Sequence, residues 1–295
     1  MRVAIASGKG GTGKTTVASS LARVWERALI AVDLDVEAPN LHLFLRPVFE
    51  ETGPAWIETP VVDESKCNFC LACSELCQFK AISVMGSVVL TFPEMCHGCG
   101  GCIAVCPQEA ISPGKRELGE IGWGHAGETQ FLTGRLRVGE AMSPPLMRQV
   151  KSRLKDILTA KGLDAIIDSP PGVSCPAVNA VMESDCIVLV TEPTPFGLHD
   201  FRLAWEAFAP LGKPMGAVIN RAGVGNRDVY AFCAEKEIPV LAEVPCERAA
   251  AEGYARGRII ADLSPEFRDI FVSLAAKITE LAVSAPAPLK EAANA

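Results

Sequence analysis

Eight of the twelve cysteines in this 295-residue chain fall into two matched runs, Cys67, Cys70, Cys73 and Cys77, then Cys96, Cys99, Cys102 and Cys106. Thiolate sulfur is the protein ligand of iron–sulfur clusters, and three cysteines at this spacing fold one short loop around three iron corners of a 4Fe-4S cluster. A second chemistry precedes them. Gly8-Lys9-Gly10-Gly11-Thr12-Gly13-Lys14-Thr15 has the pattern of a complete phosphate-binding loop. Its glycines let successive backbone N–H groups point at a triphosphate, Lys14 reaches the β and γ phosphates, and the Thr15 hydroxyl completes the coordination of Mg2+. Thr16 opens a helical pattern whose positive end faces the same anion.

Disulfides are the other common use of many cysteines, but they belong to small secreted domains. Residues 1–6 run straight into the glycine loop without a signal-peptide cleavage pattern, so the cytoplasm is the expected compartment. Zinc is the main metal alternative, yet paired zinc sites do not demand three equally spaced cysteines plus a fourth in both halves. His97, between cluster cysteines, reads as a neighbouring or exposed residue in preference to a ligand. Cys175, Cys186, Cys233 and Cys246 are scattered, and their default is burial as small hydrophobes. Cys175, which follows Ser169-Pro170-Pro171-Gly172, also resembles in its place the cluster cysteine of nitrogenase iron proteins, which implies a competing reading as a functional thiol.

A net charge of -7 argues against a broad phosphate-backbone footprint, so no nucleic-acid partner is expected. No apolar run approaches the roughly eighteen residues of a membrane span. The last predicted helix, 265–283, has only Arg268 and Lys277 as basic residues and lacks the face of a membrane anchor. No stable membrane insertion is expected.

Both chemistries need a scaffold. Residues 2–6, 28–32, 165–168, 186–190, 215–219 and 239–244 are continuous apolar runs, which mean strands covered on both faces. Helical periodicity follows the glycine loop and recurs at 145–160, 198–209, 227–236 and 265–283. This alternation predicts an α/β fold, a doubly wound and mostly parallel sheet. Asp33, Asp35 and Asp168 then stand at C-terminal strand ends, where ligands of such sheets bind. Residues 62–112 interrupt the host and contain a duplication: all four cysteines recur 29 positions later, as does Ala81-Ile82 at Ala110-Ile111. The predicted host is therefore discontinuous, 1–61 and 113–283, with a hairpin around His125-Ala126-Gly127-Glu128 reconnecting it to the insert. The Ala/Pro-rich tail, 284–295, is expected to be disordered.

Lys9, a second lysine early in the loop, makes it resemble the deviant Walker A motif of the MinD/ParA/Mrp/nitrogenase iron-protein ATPases, which are P-loop NTPases. The resemblance continues through Asp33-x-Asp35 with Asn40, Asp168-Ser169-Pro170-Pro171-Gly172 and Asn220-Arg221, and covers essentially all of the chain outside the insert. It implies ATP and Mg2+ as ligands, slow switch-like hydrolysis, and an ATP-dependent homodimer in which Lys9 crosses to the partner's nucleotide. It also implies that Asp35 orients the attacking water, that Asp33 and Asp168 support magnesium with Thr15, and that Asn220 contacts the adenine, with Arg221 beside it. The insert resembles a bacterial two-cluster ferredoxin of α+β type. The ferredoxin rule assigns Cys67, Cys70, Cys73 and Cys106 to one 4Fe-4S cluster, and Cys96, Cys99, Cys102 and Cys77 to the other. Pro107 follows Cys106 as in that pattern, whereas Gln78 follows Cys77. Three functions are compatible with the combination: nucleotide-controlled electron transfer to a redox partner, delivery of clusters to an acceptor protein, and spatial positioning of the MinD/ParA kind.

Overall fold

The computed structural model describes residues 1–283. The tail predicted at 284–295 lies outside the described residues. Among them, the strands are β1 (Arg2–Ala6), β2 (Leu29–Asp33), β3 (Val48–Val62), β4 (Ile82–Met85), β5 (Val88–Thr91), β6 (Ile111–Ala126), β7 (Thr129–Leu136), β8 (Asp164–Asp168), β9 (Cys186–Thr191), β10 (Met215–Ala222) and β11 (Val240–Pro245). The helices are α1 (Lys14–Val24), α2 (Leu41–Leu45), α3 (Ala72–Leu76), α4 (Gly101–Val105), α5 (Ser143–Lys161), α6 (Cys175–Val181), α7 (Pro195–Phe208), α8 (Asp228–Glu235), α9 (Arg248–Ala255) and α10 (Pro265–Val283). No helix among the described residues is long and apolar enough to cross a membrane.

Nine strands form one sheet in the order β11-β10-β9-β1-β8-β2-β7-β6-β3. Pairing is parallel from β11 to β7 and antiparallel at β7–β6 and β6–β3. Alternation along β1 explains the double winding. Val3 and Ile5 enter one core with Leu21 of α1 and Phe271 of α10, while Ala4 and Ala6 enter the opposite core with Phe201 and Phe208 of α7. Side chains of period two therefore face helices on both sides, which is why these strands read as unbroken apolar runs.

β3 is absent from the predicted strand set, because Glu50, Glu51, Gly53 and Pro54 break the apolar signal. It forms nevertheless, as an edge strand paired with β6 from Val48 opposite His125 to Val62 opposite Ile111. Proline is tolerated on an edge, where its missing N–H costs no ladder bond. Ala55, Ile57 and Thr59 point inward while Trp56 and Glu58 point outward. The predicted hairpin at 125–128 is the turn between β6 and β7.

The segment between β3 and β6 emerges from the far end of this ribbon and carries α3, α4 and the β4–β5 hairpin around a small core of Cys73, Ile82 and Ile111. Its backbone repeats the duplication seen in the sequence. Phe69, Leu71 and Lys80 have φ of 57°, 68° and 54°, and their equivalents 29 positions on, Gly98, Gly100 and Glu109, have 64°, 71° and 47°. Six left-handed residues at matching positions mean the same loop built twice.

Candidate functional site

The loop after β1 turns sharply into α1. Gly13 has φ of 101°, and a Cβ there would lie 2.2 Å from the Nδ2 of Asn220. Glycine is required on both counts. Asn220, at the end of β10, donates from Nδ2 to the Thr12 carbonyl at 2.7 Å and accepts the Arg221 N–H at 3.0 Å. Arg221 Nη2 donates to the Gly11 carbonyl at 3.3 Å. The Asn220 amide thus braces the phosphate loop, with Arg221 as a second brace. Gly8, Gly10, Gly11, Thr12, Gly13, Lys14, Thr15 and Thr16 are all in this turn or the first turn of α1.

Three aspartates converge on the loop. Thr15 Oγ1 donates to Asp168 Oδ2 at 2.6 Å, and burial pushes the fully enclosed Asp168 carboxyl up to about 7. Asp33 is also fully buried, and accepts the backbone N–H groups of Asp35, Asn40 and Leu41 at 3.1, 2.9 and 2.9 Å. Burial, then the Asp168 charge, holds its carboxyl well above the usual range. Asp33 thus organises the loop that carries Asp35 and Asn40. Burial likewise raises Asp35 and lowers the Lys14 amine, with the neighbouring aspartates pulling the amine the other way.

Several buried polar atoms here have no partner: Thr12 Oγ1, Asn40 Oδ1, Asp168 Oδ1 and Ser169 Oγ. Orphaned oxygens are costly in a closed interior, and their gathering at one place marks a site completed by a ligand. The donor set is all oxygen around Thr15 and Asp168, which fits Mg2+.

The raised Asp168 carboxyl has a consequence for stability. Between its unfolded value near about 4 and its folded value, the folded state binds the extra proton, so stability is lost as pH rises toward about 7. In EDTA and without nucleotide, Asp168→Asn is therefore expected to melt at a higher temperature than the parent at pH 8, with the difference shrinking toward pH 4. Calorimetry across that range checks it; a constant difference would contradict it.

Lys9 does not point away from its own chain. Its Nζ lies 2.9 Å from Glu192 Oε1 and 3.6 Å from Asp200 Oδ2, while Arg221 Nη1 holds Glu192 Oε2 at 2.8 Å. Glu192 and Asp200 are absent from the sequence-derived site. Glu192 had a legible signal, since it follows a continuous apolar strand as Asp168 ends one.

In the insert, Cys67, Cys70, Cys73 and Cys106 line one pocket, and Cys77, Cys96, Cys99 and Cys102 line another, of about 380 Å³. Among the described residues no three Cys, His, Asp or Glu side chains converge tightly enough for a single metal ion. The backbone N–H groups of Phe69, Ala81, Gly98 and Ala110 donate to the sulfurs of Cys67, Cys77, Cys96 and Cys106 at 3.3–3.4 Å. Hydrogen bonds to cysteine sulfur are among the features that tune an iron–sulfur cluster. His97 stacks on Phe79 with ring centroids 3.5 Å apart. The second pocket leans on the ribbon: a Cβ at Gly98 would lie 2.6 Å from Ile57 Cγ1, and Cys96 Sγ is 3.7 Å from the Glu58 carbonyl oxygen. Of the scattered cysteines, Cys186 and Cys233 are buried as expected, but Cys175 and Cys246 are exposed. Cys175 opens α6 after the 169–174 loop, and Cys246 follows the end of β11, so neither sits within a covered element.

A family model, the CobQ/CobB/MinD/ParA nucleotide binding domain, matches residues 3–260. The chain belongs to this family. This MinD/ParA-type P-loop chain is similar to the uncharacterized protein MJ0578 of Methanocaldococcus jannaschii, 34% identical over 83% of this chain and 86% of that one. Among solved structures it resembles the septum site-determining protein MinD of Pyrococcus horikoshii in complex with Mg-ADP, at a TM-score of 0.57 and 22% identity, covering 95% of this chain and 96% of that one. That likeness shows the fold. A shorter match of 62 residues, 36% identical, covers 21% of this chain and 63% of pyruvate synthase subunit PorD from Thermotoga maritima.

Proposed function

We propose that this family member binds and hydrolyses ATP, and that its nucleotide-dependent dimerisation controls electron transfer through two 4Fe-4S clusters to a partner protein. The observation that carries the reading is the sorting of eight cysteines into two pockets of four, each taking its fourth thiol from the other half of the duplication. Four thiols around one cavity is the ligand number of a 4Fe-4S cluster. The sulfur-directed N–H groups, and the match to a pyruvate synthase subunit over a length comparable to the insert, support it further. When bound, the clusters supply one-electron storage and transfer.

At the nucleotide, Lys14 and the loop amides would hold the β and γ phosphates, and Thr15 with Asp168 would hold magnesium. Asp35, half-buried and facing Lys14, would orient the attacking water; phosphoryl transfer leaves positioning and charge as the protein's main contributions. Asp33 supports this indirectly, through the loop it anchors.

Coupling has a packed route. Val36, next to Asp35, accepts the Leu136 N–H at 2.8 Å and shares one core with Ala55, Ile57, Leu118 and Leu132. Ile57 in turn abuts Gly98 in the loop of the second pocket. A rearrangement at the γ phosphate would therefore press on the strand that supports Cys96. Cluster delivery to an acceptor protein is the second reading, favoured by the exposure of one cysteine in each quartet, Cys70 and Cys99. The readings separate on retention: clusters that remain bound through ATP turnover, with potentials that depend on the nucleotide, support electron transfer.

A further inference from the structure

We infer that Glu192 is a positioning residue that clamps Lys9 inside its own subunit and so sets the ATP level at which the chain pairs with a second copy; the dimerisation part rests on the function proposed above. Three features make Glu192 a clamp in preference to an incidental surface pair. Its carboxylate is almost enclosed, with 11% side-chain exposure, and both oxygens are used, one by Lys9 and one by Arg221. Its backbone and Cγ are pinned by α7, because a Cβ on Gly197 would lie 2.2 Å from the Glu192 carbonyl oxygen and 2.8 Å from Cγ. The two cations it joins come from opposite sides of the phosphate loop, Lys9 from its start and Arg221 from the end of β10, and Arg221 also grips the Gly11 carbonyl.

The electrostatics give the clamp a direction. Burial alone would raise the Glu192 carboxyl, yet the hydrogen bond and charge of Lys9, with the charge of Arg221, hold it below the usual range. It is therefore a fixed negative charge at neutral pH. A triphosphate in the loop offers Arg221 and Lys9 a larger negative charge a short distance away. Arg221, already in contact with the loop at Gly11, is the cation best placed to turn to it, and Lys9, at the start of the same loop, then divides its attraction between Glu192 and the triphosphate. Asp200, at 3.6 Å from Lys9 Nζ, is a secondary holder.

Two readouts on the full-length chain test this. Reductive methylation of Lys9, followed by mass spectrometry on the nucleotide-free protein, reports the clamp without any need for dimerisation. Glu192→Gln, which keeps the shape and removes the charge, is expected to speed Lys9 labelling roughly tenfold, the factor of an ordinary charged hydrogen bond. Glu192→Asp, shorter by one methylene, should fall between and guards against a variant that misfolds. The ATP concentration for half-maximal dimerisation, followed by light scattering, is expected to drop several-fold in Glu192→Gln. Equal Lys9 labelling in parent and variants overturns the clamp. Faster labelling with an unchanged ATP threshold overturns its control of pairing. A parent chain that stays monomeric in ATP overturns the dimerisation reading, and the labelling result then decides the clamp alone.

Discussion

Lys14→Ala is expected to lower ATP turnover about 10³-fold, the scale on which a charge aimed at a transferring phosphoryl group acts. Lys14 is enclosed at the start of α1, with Asp168, Asp35 and Asp33 around it. Its amine offsets three carboxylates before it meets any phosphate. Removal leaves those carboxylates facing a triphosphate with only Mg2+ between them. Neither neighbouring cation stands in its place: Lys9 and Arg221 lie on Glu192, outside the group of three aspartates around Lys14. Steady-state phosphate release, compared with nucleotide affinity in the same variant, checks the effect. A loss of less than tenfold would contradict the placement of Lys14 at the reacting phosphate.

Cys106→Ser is expected to cut the iron content of anaerobically purified protein from about eight to about four per chain, with sulfide falling in step. The cluster lost should be the one facing Cys67, Cys70 and Cys73, because Cys106 lines their pocket although it belongs to the other cysteine run. Cys77→Ser should remove the other, beside Cys96, Cys99 and Cys102. The two variants can be told apart because the sites differ: Phe79 and His97 stack beside the second, where their equivalents near the first are Gln108 and Asn68. EPR of each variant should therefore retain a different one of two parent signals. Loss in Cys106→Ser of the signal that Cys77→Ser also loses would overturn the crossed arrangement.

The parallel part of the fold was legible because its strands are buried on both faces, so Ile30, Ala31 and Val32 or Val188, Leu189 and Val190 stand in unbroken apolar runs. The same rule hid β3. An edge strand has one face in solvent and one side unpaired, so it tolerates Glu51, Gly53 and Pro54, and only its pairing with β6 makes it a strand. The phosphate loop could be read from spacing because its backbone geometry demands glycine. Glu192 shows in the sequence only as an acid after an apolar strand; its role depends on Lys9, 183 positions away, reaching the same corner of the sheet. The crossed cysteine sets illustrate both limits. Spacing along the chain defines two runs, whereas the exchange of Cys77 and Cys106 between them is an expectation carried by a resemblance; in the folded chain Cys106 lines the pocket of Cys67, and Cys77 that of Cys96. Cys175 and Cys246 went the other way: cysteine favours burial on average, yet both stand at element ends that nothing covers.

In the proposed function, nucleotide state reaches the clusters. The most direct measurement is an EPR-monitored redox titration of the full-length protein under anaerobic conditions, once in Mg-ATP with hydrolysis blocked by Asp35→Ala and once in Mg-ADP. The loop that carries Cys96 leans on Ile57, which shares a core with Val36, so the midpoint potential of a cluster held there is expected to differ between the two states by more than that of one held beside Cys67. Identical potentials for both clusters in ATP and ADP would contradict the account.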